Sequence, residues 1–315
     1  MMEGRNAARA PATAWTGVFP IAPTPFRDDG ELDLDSQRRV LDCMVDQRVD
    51  GICILANYSE QFLLSDAERD ALLELCLSHV GGRVPVIVTI SHFSTRIATE
   101  RARRAAKAGA AMLMLMPPYH GTSLRADDDG VIEHYARVAE AADVPLMVQD
   151  APLSGVQLSV PLLVRLAREV PSVRYFKVEV PNAAAKLRAL IAAGGEAIAG
   201  PFDGEESITL MPDLDAGATG TMPSALLPDL IGPIVRDYLA GRRDDALREY
   251  ARVLPLVNYE NRQCGLRATK TVMKEGGVIA SDAVRHPLAP MHPQTRQGLL
   301  ELARSVSPLA LRWAR

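Results

Sequence analysis

Lys177 lies in an apolar run of the sequence, VRYFKVEVPN at 173–182, where a buried strand is expected. Burial lowers the pKa of a lysine and frees its amine to act as a nucleophile, for example in imine formation. A strand-end lysine that reaches solvent, or that pairs with an acidic neighbour, would give the same pattern. The other lysines of the chain fall in helical stretches with a polar face: Lys107, Lys186, Lys270 and Lys274.

Glu179 follows the lysine by two positions. Side chains alternate along a strand, so Lys177 and Glu179 should share a face with Tyr175, while Phe176 and Val178 point toward the helices. A carboxylate at this place can hold the amine in position, or it can move protons after the amine has become an imine. A plain ion pair is the alternative interpretation.

The elements around this pair alternate between short apolar runs and helical patterns over the first two-thirds of the chain. The runs are apolar throughout, as expected of parallel strands that are covered on both sides. Eight strand–helix repeats predict an α/β fold, a TIM (β/α)8 barrel with a C-terminal helical appendage. No GxGxxG motif follows the first run, which counts against a dinucleotide-binding sheet. The predicted strands cover 18–23, 51–57, 84–90, 111–117, 144–150, 173–179, 196–201 and 217–222.

The same pattern divides the chain into three parts. We expect a flexible N-terminal extension at 1–16, the barrel at 17–240 and a C-terminal helical region packed on the barrel at 241–315. The N-terminal segment has no apolar core, so it is a poor match for a signal peptide.

Polar side chains collect at the ends of the predicted strands. The carboxyl ends of all strands of a TIM barrel meet on one face, and this face carries the active site. We therefore expect a pocket there, built from the nucleophile and its polar neighbours. The positions assigned to it are Asn57, Tyr58, Ser59, His92, Tyr119, Gln149, Lys177, Glu179, Gly200, Asp203 and Thr221.

Composition excludes several other classes of protein. The net charge of −4 and the absence of basic blocks predict no nucleic-acid partner. No apolar stretch is long enough to span a membrane, so no membrane contact is expected. Four cysteines without CxxC spacing predict free, buried thiols in a reducing cytoplasm. The six histidines form no ligand motif, and we predict no metal site.

Several motifs carry a resemblance to a known family. TGVFPIAPTPFRDDGELD at the first strand, GGRVPVIV before the third strand and the position of Lys177 resemble the dihydrodipicolinate synthase and N-acetylneuraminate lyase family. The resemblance implies that Lys177 is the Schiff-base lysine and that the carbonyl of Gly200 faces the substrate. It also implies that the loop with Asn57, Tyr58 and Ser59 binds the carboxylate of a 2-oxo acid, and that the assembly is a homotetramer of two tight dimers.

The departures from this family bear on the reaction. Gln149 stands where the family has its catalytic tyrosine, and glutamine cannot transfer a proton. Ser154 stands where the synthases have an arginine for a second carboxylate. Tyr119 matches the tyrosine that in synthases reaches the site of a neighbouring subunit.

A second set of motifs is similar to a narrower branch of the family, the dehydratases of 2-keto-3-deoxy sugar acids. This branch implies conversion of L-2-keto-3-deoxyarabonate to 2-oxoglutarate semialdehyde and water without a cofactor. Glu179 would be the acid/base, with Tyr119 and Tyr58 as alternatives, and the hydroxylated tail would meet His92, Gln149, Asp203 or Thr221. A sugar-acid aldolase that releases pyruvate and an inactive sugar-acid-binding barrel are the rival interpretations. The motifs are ILANYSEQFLLSDAER, MPPYHG, QDAPLSG, RYFKVE and MKEGGVIASDAVRHPLAPMHPQTR.

Overall fold

The computed structural model of the protein describes residues 15–119, 124–151 and 154–314. The predicted N-terminal extension lies outside the described residues except for its last two positions. Within the described ranges, parallel strands and helices alternate, as the apolar runs predicted. The strands are β1 Gly17–Val18, β2 Ile52–Ile54, β3 Val86–Thr89, β4 Met112–Leu115, β5 Leu146–Asp150, β6 Val173–Val178, β7 Gly200–Asp203 and β8 Gly220–Thr221.

The strands form one parallel sheet in the order β1-β8-β7-β6-β5-β4-β3-β2. The two ends of this order are joined just after β1, where Ile21 bridges both Cys53 and Ser224. The amide of Ala22 donates to the carbonyl of Cys53 at 2.8 Å, and the amide of Cys53 donates to the carbonyl of Pro20 at 2.9 Å. These bonds close the sheet into the predicted (β/α)8 barrel.

Several of the helices begin at a residue whose side chain caps the first turn. Ser65 and Glu68 form a reciprocal capping box at the start of α2, and Gly81 ends that helix in the left-handed region at φ +57°. The barrel helices are α1 Leu34–Asp46, α2 Asp66–Val80, α3 Thr95–Ala108, α4 Asp128–Ala141, α5 Val160–Glu169, α6 Ala183–Gly194, α7 Leu210–Asp215 and α8 Pro228–Leu239.

The core has two shells because each strand is covered on both faces. The outer shell packs strand side chains such as Phe176 and Val178 against the helices. The shell inside the barrel includes Phe19, Met147, Tyr175 and Phe202. Tyr175 thus points inward while its neighbours along β6 point outward, which confirms the alternation expected around Lys177.

The seventh strand lies further along the chain than the apolar run predicted. Residues Gly195–Ala197 form a 3-10 turn, and β7 begins only at Gly200. The turn follows the end of α6 directly, so the first residues of the run serve the connection and not the sheet. This shift moves Gly200 from the end of the strand to its start.

The chain continues after α8 with further helices that pack on the barrel. A π-helical segment, Glu260–Cys264, joins the first two of them. None of the helices in the described part of the chain is long and apolar enough to cross a membrane. These helices are α9 Arg243–Tyr259, α10 Arg267–Glu275, α11 Pro293–Val306 and α12 Leu309–Arg312.

The expectation that Lys177 is the one lysine in apolar surroundings is wrong. Lys270, on α10, is fully buried, and Lys177 is 2 % exposed. The segment around Lys270 has a polar helical pattern, but α10 packs that residue against the barrel, so its environment is set by tertiary contacts. Two buried lysines therefore need an explanation.

Candidate active site

Lys177 and Glu179 meet at the carboxyl end of β6. The amide of Glu179 donates to the carbonyl of Asp150 at 2.9 Å, which keeps the backbone extended beyond the strand. The Lys177 ammonium contacts the Glu179 carboxylate, and the two side chains are only 3 % and 13 % exposed. Burial lowers the pKa of Lys177, while the carboxylate of Glu206 acts against this shift. The lysine is thus enclosed in the protein rather than turned to solvent.

Gln149 completes a three-residue arrangement with this pair. It is the register partner of Lys177 across β5 and β6. Its Nε2 donates to the carboxylate of Glu179 at 3.1 Å. Its Oε1 is buried and has no hydrogen-bond partner among the described residues. A buried acceptor without a partner is costly, so this oxygen is suited to accept a hydrogen bond from a bound ligand.

Asp203 and Thr221 lie together on the adjacent strands β7 and β8, but they bind each other. The Thr221 hydroxyl donates to Asp203 Oδ2 at 2.5 Å, and the same oxygen accepts from the amide of Ser207 at 3.1 Å. Asp203 Oδ1 accepts from the amide of Glu205 at 3.3 Å. Both carboxylate oxygens thus accept hydrogen bonds that fix the loop after β7. Asp203 therefore has fewer free acceptor positions for a ligand than we expected.

The loop after β2 forms a short 3-10 turn, Asn57–Ser59. The hydroxyl of Ser59 donates to the carbonyl of Ala22 at 2.6 Å and accepts from the amide of Ala56 at 3.1 Å, so it holds the turn against the barrel. Asn57 accepts from Gln61 through its side-chain carbonyl at 2.7 Å, which leaves its side-chain nitrogen as a donor. Of the three predicted residues, Asn57 and Tyr58 remain available for a ligand.

Two acidic residues that the sequence did not indicate, Glu206 and Glu260, both interact electrostatically with the buried Tyr58, and Glu206 also interacts with Lys177. Burial raises the pKa of Glu206 to about 8, with the Lys177 ammonium opposing the shift and Glu260 adding to it. Burial also raises the pKa of Glu260 to about 7. The phenol of Tyr58, enclosed beside both, has a pKa raised above its ordinary range. Carboxyl groups that stay protonated near neutral pH can donate protons or hydrogen bonds.

The backbone explains how Glu206 reaches this place. Glu206 and Ser207 both adopt left-handed conformations, at φ +49° and +67°. Such a pair is uncommon for residues with side chains and persists only where the surroundings hold it. Ser207 is held by Asp203 and by the hydroxyl of Tyr250, which donates to the Ser207 carbonyl at 3.0 Å. In the sequence, two consecutive acidic residues, Glu205 and Glu206, follow the predicted seventh strand, and this pair was the feature that could have indicated Glu206.

His92 and Tyr119 take part in other contacts. The Nδ1 atom of His92 accepts from the amide of Ser94 at 2.9 Å, and burial near Arg101 lowers the pKa of the imidazole. The ring of Tyr119 packs edge-on against Phe62, with centroids 5.8 Å apart. The described contacts of these two residues do not include Lys177 or Glu179, so the structure does not bring them into the central arrangement.

Gly204, and not Gly200, is the glycine beside the lysine. Gly200 pairs with Tyr175, one layer below Lys177, and a Cβ there would lie 2.6 Å from the Tyr175 ring. At Gly204 a Cβ would lie 2.5 Å from Glu179 Cγ and 3.0 Å from Lys177 Cγ. The close approach of the backbone to the site is therefore at Gly204, just beyond β7.

No group of three or more His, Cys, Asp or Glu residues in the described chain could hold a metal ion. All four cysteines, Cys43, Cys53, Cys76 and Cys264, are free and buried, as predicted.

Comparison with known proteins identifies the fold and the lineage of this site. Residues 14–306 match the model of the dihydrodipicolinate synthetase family. The chain belongs to this family. The match includes both the barrel and most of the C-terminal helices, so the family unit contains α9 to α11.

Individual members of the dihydrodipicolinate synthetase family differ in their sequence identity to the chain. L-2-keto-3-deoxyarabonate dehydratase from Azospirillum brasilense is 56% identical over 298 residues, covering 95% of this chain and 96% of the relative. 4-Hydroxy-tetrahydrodipicolinate synthase 2 from Streptomyces coelicolor is 32% identical, covering 93% and 96%. The crystal structure of dihydrodipicolinate synthase from Rhodopseudomonas palustris superposes with a TM-score of 0.84 at 29% identity, covering 92% and 97%.

Proposed function

We propose that the protein is a Schiff-base hydro-lyase that converts L-2-keto-3-deoxyarabonate to 2-oxoglutarate semialdehyde and water. The observation that carries this proposal is the buried amine of Lys177 in contact with Glu179, which is held in turn by Gln149. The choice of substrate is supported by the 56% identity with L-2-keto-3-deoxyarabonate dehydratase.

The reaction begins with an imine. The neutral amine of Lys177 attacks the C2 ketone, and the oxygen leaves as water. The protonated imine withdraws electrons and makes the C3 protons acidic. Burial favours the neutral amine that this step requires.

We assign the proton transfers of the elimination to Glu179. Its carboxylate touches the lysine nitrogen, so it lies close to the C3 position of a substrate held there as an imine. Glu179 removes a C3 proton to give an enamine. The enamine expels the C4 hydroxyl, which takes a proton from the carboxylic acid and leaves as water. One group can thus act first as base and then as acid.

The unsaturated imine then rearranges to the product. Loss of one proton from C5 and one from its hydroxyl, with gain of protons at C4 and C3, converts the alcohol to an aldehyde and restores the imine. Hydrolysis releases 2-oxoglutarate semialdehyde and frees Lys177. We assign Glu206 and Glu260 as further proton carriers, because the Glu206 carboxyl interacts with the Lys177 ammonium and with Glu260, and burial raises the two pKa values to about 8 and about 7.

We assign binding groups to both ends of the substrate. We assign the 2-oxo acid carboxylate to the turn Asn57–Ser59, because the first N–H groups of a 3-10 turn have no acceptor within the turn. A hydroxyl of the sugar tail fits the unpartnered Gln149 Oε1. Ser154, at the position where synthases have an arginine, is buried and donates to the carbonyl of Ala151 at 2.9 Å, so this side chain supplies no cation. A neutral tail suits these surroundings.

Imine trapping and product analysis test the proposal. Borohydride reduction in the presence of pyruvate should give a mass adduct at Lys177, and Lys177→Arg should remain folded with no adduct and no dehydration, because guanidinium is not nucleophilic. Assay with L-2-keto-3-deoxyarabonate should yield semialdehyde. Release of pyruvate would instead identify an aldolase, and a wild type without adduct would identify a barrel that only binds its ligand.

We further propose that the protein is a cytoplasmic homotetramer, as the family resemblance implies. The free, buried state of all four cysteines fits a reducing compartment. Light scattering of the purified protein should give four times the mass of the 34.1 kDa chain, and a monomer mass would contradict the assembly.

A further inference from the structure

The second buried lysine, Lys270, forms an ion pair with Glu60 across 210 residues of sequence. Both side chains are completely excluded from solvent. The remaining polar atoms of the pair are also bonded. Lys270 Nζ donates to the carbonyl of Ala283 at 2.9 Å, and Glu60 Oε2 accepts from the amide of Arg285 at 3.2 Å. This pair connects α10 and the segment after it with the loop that follows β2.

Aromatic and backbone contacts strengthen this connection. The ammonium of Lys270 and the guanidinium of Arg285 each lie 4.3 Å from the centre of the buried Phe26 ring. Arg285 also donates to the carbonyl of Leu63 at 2.8 Å and pairs with Glu68 at the start of α2. The C-terminal region therefore holds the loop after β2 from several directions.

Glu60 is the residue directly after the turn Asn57–Ser59, and its backbone is left-handed at φ +56°. The other side of the turn is held by the segment that follows β1, because Thr24 donates to the Ser59 carbonyl at 2.8 Å and Ser59 donates to the carbonyl of Ala22. The position of the turn over the barrel thus depends on the segment after β1 on one side and on the Lys270–Glu60 pair on the other.

We propose that Lys270 is a positioning residue for the substrate carboxylate. Through its buried pair with Glu60, it sets the place of the turn Asn57–Ser59 relative to Lys177. This inference rests on the proposed function, in which that turn receives the carboxylate of the 2-oxo acid. A buried pair is a suitable device because its partners, once desolvated, accept few other geometries.

Variants of α10 separate positioning from stability. Lys270→Met leaves the Glu60 charge buried without its partner, so the melting temperature should fall. In Lys270→Met/Glu60→Gln no charge is left unpaired, and the melting temperature should recover. Lys274→Met is the matched control, because Lys274 lies one turn further along the same helix and pairs with Asp282 at 2.8 Å near the surface.

We expect KM to respond to the Lys270 variants differently from the melting temperature. A displacement of about 1 Å in a binding group can cost on the order of 100-fold. We therefore expect the KM for the sugar acid, and the pyruvate concentration needed for half-maximal trapping, to rise about 10- to 100-fold in both Lys270 variants, with kcat changed much less. The Lys274→Met control should keep the wild-type KM. Recovery of KM together with the melting temperature in the double variant would overturn the inference.

Hydrogen exchange provides a readout that needs no substrate. Amides of residues 56–64 should exchange faster in both Lys270 variants than in the wild type and in Lys274→Met. Unchanged exchange in this segment would also overturn the inference. If the wild type forms no pyruvate adduct, the proposed function fails, and the exchange data still decide whether Lys270 holds the loop.

Discussion

Gln149 donates a 3.1 Å hydrogen bond to Glu179 from the strand adjacent to the one that carries the nucleophile. Both residues are buried or nearly so, and one oxygen of the Glu179 carboxylate, Oε1, contacts both the Gln149 amide and the Lys177 ammonium. A residue without acid–base chemistry therefore orients the residue that can perform it. This division of roles fits an elimination in which a single carboxyl group serves as base and acid.

The first prediction concerns the orienting bond. Gln149→Met keeps a similar volume but removes the donor to Glu179. A hydrogen bond to a charged group contributes about 1.5–3 kcal/mol, so kcat/KM should fall roughly 10- to 100-fold. Gln157→Met, at an exposed position on the same connection, is the control. Wild-type kinetics in a folded Gln149→Met variant would show that Glu179 needs no such support.

The second prediction concerns the proton carrier. Glu179→Gln keeps the shape and removes the acid–base group, so turnover should fall at least about 100-fold. Imine formation should survive, because Lys177 is unchanged. Steady-state rates and borohydride trapping measured on the same preparation check the two halves of the prediction. Normal turnover would assign the proton transfers to another group, for which Glu206 is a candidate because it interacts with Lys177.

The third prediction separates the two glycines. Gly204→Ala places a methyl group 2.5 Å from Glu179 Cγ and should lower kcat strongly. Gly200→Ala places it 2.6 Å from the Tyr175 ring, one layer lower, and should act mainly on stability. Overpacking of a core costs roughly 1–3 kcal/mol. Thermal denaturation and kinetics of both variants test this contrast, and a large kcat loss confined to Gly200→Ala would reverse our assignment.

The fourth prediction concerns the pH dependence of stability. The pKa of Glu206 is raised from 4.5 to about 8 by burial, so the folded state binds a proton that the unfolded state has lost between these values. Stability should therefore decrease as pH rises through this window, by up to about 1.4 kcal/mol per pH unit for one such group. Glu206→Gln should flatten the decrease in melting temperature between pH 5.5 and 8.5.

The control for this measurement is Glu196→Gln, at an exposed position before β7. Its pH profile should follow that of the wild type. Asp213, with a pKa also raised to about 8, should leave a residual slope in the Glu206 variant. A Glu206→Gln profile identical to the wild type would show that Glu206 ionises normally in the folded protein.

The local periodicity of the sequence was sufficient to predict the barrel and the residues at the centre of the candidate site. A strand has a period of two, so Lys177, Glu179 and the inward Tyr175 could be placed on one face from their spacing alone. The alternation of apolar runs and helical patterns likewise predicted the barrel, because each element must bury its apolar surface against its neighbours. These are short-range relationships, and the amino-acid order contains them directly.

Only the tertiary structure decided which other polar residues belong to the site. Lys270 has the local pattern of a surface lysine, yet α10 buries it against a loop 210 residues away. Asp203 and Thr221 come from adjacent strands and satisfy each other, and the left-handed backbone at Glu206 brings in a carboxyl group that no periodicity indicates. Such outcomes depend on which distant segments pack together, and packing between distant segments leaves no signature in the spacing of neighbouring residues.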